Sequence, residues 1–162
     1  MTAAEKIPLT IRSSIKECDT HLRRMNRGLS LLAEFFPVTE EILLENDDMR
    51  IEHIDQFIYR FTKLQDSMGT RLLPSLYGYL KGNDQPVPFL DILNTLEKMG
   101  IITSAADWQF FRNLRNNLAH DYPDSVDQTV LTLNLLYSEF GRLEALYTNV
   151  RQYCAGRIEG IQ

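Results

Sequence analysis

Apolar residues recur three and four apart along most of the chain. Ile11, Ile15, Cys18, Leu22, Met25, Leu29, Leu32 and Phe36 form one unbroken seam. It predicts a long helix from about Leu9 to Phe36, packed lengthwise on another helix and ended by Pro37. Residues 39–46 predict one or two helical turns with Thr39 as N-cap. A second seam (Ile51, Ile54, Ile58, Phe61, Leu64, Met68, Leu72) predicts a helix from about Asp47 to Leu73. Pro74 kinks it there and a further turn follows. Gly82 to Pro86 reads as a loop. A short helix over 88–98 comes next, with Gly100 just past its end. Ser104 caps the helix that runs to Pro123. Ser125 caps a last long helix whose stripe, from Val126 through Leu133, Phe140 and Tyr147 to Val150, continues to about Tyr153. No sustained period-two alternation competes. The pattern predicts an all-α, antiparallel helical bundle with two or three long helices and short accessory ones. One domain covers 1–162, with short flexible tails at about 1–8 and 155–162.

Composition narrows the class. The 162 residues are 44% hydrophobic and 24% charged, enough for a core and too apolar for global disorder. A net charge of −5 argues against a protein that coats nucleic acid through bulk charge, while leaving room for a small basic cleft. Cys18 and Cys154 have no metal-ligand spacing, and Cys18 falls on the apolar seam as a small hydrophobe. His21 and His53 lack the spacing of a zinc site. The N-terminus MTAAEKIPLT has no apolar signal core, and no apolar run reaches the ~20 residues that span a bilayer. A cytoplasmic protein without membrane contact is the expectation.

Candidate chemistry gathers in one place, Arg115 to Tyr122, which reads RNNLAHDY. Wound on a helix, Phe111, Leu114 and Leu118 share a core face and Arg115 lies at its edge. Asn116 and His120, four apart, share a polar face, with His120 nearly opposite the core. A straight, isolated helix would not bring Arg115 and His120 together. A relaxed last turn, a second subunit, or both must complete any site. Arg115 offers a planar fork of donors matched to phosphate. His120 can act as acid or base near neutrality, and Asn116 can orient a substrate. Together they suffice for attack of a ribose 2′-hydroxyl on the adjacent phosphate. Arg112 and Asn117 are possible substrate contacts. The basic face of the first helix (Arg12, Arg23, Arg24, Arg27) is an ordinary solvated face that could also hold RNA or a partner. Tyr59, Arg60 and Lys63 could face the same groove as the motif.

The stretch Arg115-Asn116-Asn117-Leu118-Ala119-His120-Asp121-Tyr122 resembles the R-N-x-x-x-H signature of the HEPN superfamily, in the form seen in HepT-like toxins. The order of long helices before and after it is similar over roughly residues 10–153. The resemblance implies a homodimer whose two motif helices line one groove. It implies an endoribonuclease needing neither metal nor cofactor, with Arg115 and His120 catalytic and Asn116 supporting. It implies a toxin of a toxin-antitoxin pair, neutralised by a nucleotidyltransferase antitoxin that modifies Tyr122 with AMP. The connections at 39–48 and 81–88 are longer than a minimal member needs. A related branch keeps the helical bundle as a non-catalytic or nucleotide-binding partner of a nucleotidyltransferase.

Overall fold

The computed structural model describes residues 1–45 and 47–162, and every regular element in them is helical. The chain begins helical earlier than its apolar seam suggests. Helix α1 spans Ala3–Leu32, because Thr2 and Glu5 close a capping box at its start. Pro8 is accommodated inside it, and Ile7 beside it is buried. The seam is the buried face: Ile11, Cys18, Met25 and Leu32 have no exposed surface. The helix stops at Leu32 rather than Phe36, and a 3₁₀ turn over Ala33–Phe35 leads to Pro37.

Helix α2 (Glu40–Leu44) is capped by the Thr39 side chain, as expected; Asn46, the last residue of that expected segment, lies outside the described residues. Helix α3 (Asp48–Ser67), capped by Asp47, packs on α1 more extensively than any other pair of elements. The two run antiparallel. Ser67 and Arg71 both reach Glu17, Arg60 reaches His21, and Gly28 sits against Phe57.

The expected kink at Pro74 is a π turn over Met68–Leu72, in which the Leu73 N–H donates to the Met68 carbonyl. Pro74 has no N–H for the Thr70 carbonyl, so the helix widens one turn ahead of it. It then resumes as α4 (Leu73–Lys81) and ends at Gly82 in the left-handed conformation (φ 74°). Helix α5 (Phe89–Lys98) covers the α4 side of the bundle.

Ser104 caps α6 (Ala105–Asp121) by accepting from the Asp107 N–H at 3.1 Å. The expected last long helix is two: α7 (Val126–Ser138) and α8 (Phe140–Cys154), broken at Glu139. The apolar stripe runs through the break, so periodicity alone does not reveal it. Ser125 precedes α7 but makes no side-chain cap. Helix α8 closes the bundle against α1, where the Tyr147 hydroxyl donates to Asp19 at 2.7 Å and Arg151 pairs with the same carboxylate.

Of the two expected tails, residues 3–8 belong to α1, and the C-terminal segment is packed: Ile158 and Ile161 are buried, and Arg12 donates to the Glu159 carbonyl at 2.9 Å. Among the described residues no helix is long and apolar enough to cross a membrane.

Candidate functional site

Helix α6 carries the motif, and its burial follows the helical projection of the sequence. Trp108, Phe111, Leu114 and Leu118 are buried. Arg115 is half-buried at the edge of that face, whereas Arg112, Asn116, Asn117, Ala119 and His120 are exposed. The motif is therefore presented to solvent on a helix anchored by its aromatic side.

Two polar ties fix α6 to α3. At one end the Arg115 Nη2 donates to both carboxylate oxygens of Asp66, at 3.1 and 3.3 Å. At the other end the Tyr122 hydroxyl donates to Asp55 Oδ1. Asp55 and Asp66 are eleven residues apart, about three helical turns, so both lie on one stripe of α3. Arg115 and Tyr122 are seven apart and meet that stripe in reverse order, so the helices run antiparallel. Neither tie involves His120.

Arg115 uses one nitrogen for Asp66. The residue also lines a cleft of about 130 Å³ with Asp66, Gly69, Thr70, Arg112 and Asn116. Both partners of the ion pair keep solvent access, with side-chain exposures of 30% and 43%. The pair consequently orients the guanidinium more than it stabilises the fold. Asp66→Ala should lower stability by under about 1 kcal/mol, read as a small shift in urea midpoint. A shift several times larger would make Asp66 a structural residue.

Burial, with the hydrogen bond to Asp55, raises the Tyr122 phenol above its ordinary range, so it stays protonated at neutral pH. The ring lines a second cleft with Leu43, Ile51, Pro123 and Val126, on the α2 side of the motif. Tyr122 and His120 thus belong to different surroundings, although two residues apart.

Arg60 places Nη1 3.1 Å from His21 Nδ1. Burial, then the nearby Arg60 charge, lowers the His21 pKa and favours the neutral ring that can accept this bond. Tyr59 is half-exposed, with the Arg60 guanidinium 5.3 Å and the Lys63 ammonium 5.7 Å from its ring centre. Of the basic residues of α1, Arg12 is bound to the C-terminal segment, while Arg23, Arg24 and Arg27 lie apart from the motif's ties. A larger, mainly apolar cleft of about 350 Å³ beside Ile7, Pro74, Tyr77 and Phe89 contains none of the motif.

Asp55 and Asp66 were not legible as site residues from spacing around the motif. The available signal was the polar stripe Asp55, Tyr59, Thr62 and Asp66 on α3, which interrupts no apolar seam and so reads as solvated. Comparison of the chain with models of protein families, with curated proteins and with solved structures yields no match. The geometry of α6 against α3, with the motif itself, carries the functional argument.

Proposed function

We propose that this chain is a metal-independent endoribonuclease of the HEPN type, acting as a HepT-like toxin. The observation that carries the reading is the Arg115 guanidinium. Asp66 holds it in the wall of a small cleft, on the helix that also presents Asn116 and His120 to solvent.

In this reading His120 takes the proton of a ribose 2′-hydroxyl. The 2′-oxygen attacks the adjacent phosphorus, and the bond from phosphorus to the 5′-oxygen breaks. The departing oxygen takes up a proton from an imidazolium, leaving a 2′,3′-cyclic phosphate and a free 5′-hydroxyl. The free N–H groups of Arg115 neutralise charge gathering on the phosphoryl oxygens. Asn116 orients the phosphate or sugar. Arg112, in the same cleft, is a second phosphate contact, and Asn117 a more peripheral one. His120 projects away from Arg115, so a homodimer that lays two motif helices along one groove completes the site.

The antitoxin is a nucleotidyltransferase that transfers AMP from ATP to Tyr122. Asp55, which accepts the hydrogen bond of that phenol, takes its proton as the phenol oxygen attacks the α-phosphorus of ATP and pyrophosphate leaves. The adduct puts a bulky anion beside the groove. Expression of the chain alone should arrest bacterial growth. Co-expression of its cognate nucleotidyltransferase should restore growth and add one AMP to the peptide bearing Tyr122. Harmless expression, together with intact RNA after incubation with purified protein in EDTA, would refute the proposal.

One observation favours a second reading, a non-catalytic partner of a nucleotidyltransferase. An Arg115 paired with Asp66 is also what a purely structural arginine looks like. Asp66→Asn separates the two. A catalytic arginine loses its positioning and cleavage falls, whereas complex formation by a binding partner is unchanged.

A further inference from the structure

The stripe of α3 that faces the motif holds more than its two acidic anchors. Tyr59 lies one helical turn from Asp55, and Thr62 and Lys63 lie one turn further toward Asp66. These residues fill the span between the two ties to α6. Midway between those ties α6 has Leu118, which is buried in the core, and Ala119, which is exposed and too small to cover them. The Tyr59 side chain is consequently left open, at 50% exposure, beside the groove rather than packed under it.

Two cations stand at its ring. The Lys63 ammonium and the Arg60 guanidinium, which also meets His21 on α1, lie over it within 6 Å of its centre. Arg112 and Arg115 stand at the Asp66 end of the stripe, in the small cleft beside Gly69 and Thr70. Of the two carboxylates in the span, Asp66 is paired with Arg115, and Asp55, which accepts from the neutral Tyr122 phenol, is the one left to oppose these cations. An exposed aromatic face bordered by cations, next to a phosphate-sized cleft, is the arrangement that holds single-stranded nucleic acid. The base stacks on the ring, and the backbone runs along the charges.

We infer that Tyr59, with Lys63 and Arg60, is a base-stacking platform that binds single-stranded RNA and delivers a backbone phosphate to Arg115. This rests on the ribonuclease reading for its substrate class and adds the residues that grip the strand. Duplex RNA, whose bases are not splayed, has no face to offer Tyr59. The platform accordingly selects unpaired segments.

The test separates gripping from cutting. In a His120→Ala background with EDTA present, binding of a fluorescein-labelled single-stranded RNA 12-mer is followed by anisotropy. Tyr59→Leu should weaken binding about ten-fold, whereas Tyr59→Phe, which keeps the π face, should bind nearly as the background protein does. Lys63→Ala should weaken binding and flatten its salt dependence by about 0.7 in log-log slope, one phosphate contact fewer. The matching duplex should bind more weakly than the single strand. Equal binding by Tyr59→Leu and the background protein, or preference for the duplex, overturns the platform. If the wild type cuts no RNA but binding still depends on Tyr59, the ribonuclease reading fails and the platform stands.

Discussion

His120→Ala should abolish RNA cleavage while leaving the protein folded. Positioned acid-base groups contribute about 10²–10⁴-fold to rate, so a loss in that range is expected in single-turnover assays with EDTA present. The side chain is exposed and takes no part in either tie between α6 and α3, so circular dichroism and thermal midpoint should stay within error of wild type. Arg115→Ala should lose about 10²–10³-fold, the size of one donor aimed at developing charge. Arg115→Lys should not restore it, because an ammonium cannot hold Asp66 and present a planar fork to phosphate at once. The double variant should be little worse than His120→Ala alone, since residues that act in one step are not additive. Retained cleavage in both single variants would move the chemistry off α6. Retained fold with lost dimerisation in Arg115→Ala would recast that residue as an interface arginine.

The parts of this molecule that were legible in the sequence are the local ones. The α1 seam, the Thr39 and Ser104 caps and the core face of α6 follow from spacing and capping chemistry, which act within a few residues. The start of α1 was also written locally, as Thr2-Ala3-Ala4-Glu5. The helix forms there although Pro8 lies inside it, held by the capping box and by burial of Ile7. The break at Glu139 was hidden because Leu133, Leu136, Phe140 and Leu143 stay in phase across it. The cross-helix ties were out of reach for another reason. Asp66 meets Arg115 across 49 residues and Asp55 meets Tyr122 across 67. Such pairings depend on how α3 and α6 dock, which helical periodicity does not encode. The candidate site was thus visible as one helix face, and its second wall was not.

That docking has a keystone, and removing it should cost more stability than any change among the polar residues of the motif. Trp108 is fully buried at the start of α6, with its indole against Gly69 in the π turn and Phe89 5.7 Å away, centre to centre. A Cβ on residue 69 would stand 3.0 Å from the indole, so the glycine is what lets the ring approach the turn. The indole nitrogen has no hydrogen-bond partner among the described residues, so the contribution is packing. Trp108→Ala should cost about 3–5 kcal/mol and lower the thermal midpoint by roughly 10 °C. Gly69→Ala should cost about 1–3 kcal/mol by overpacking the same contact. Gly69 also lines the Arg115 cleft, and Asp66 stands one turn before it, so both variants should lose cleavage more steeply than their folded fraction alone requires. A Trp108→Ala protein that melts within a degree or two of wild type would show that α6 is held on α3 by the polar ties, and that the aromatic anchor is incidental to the site.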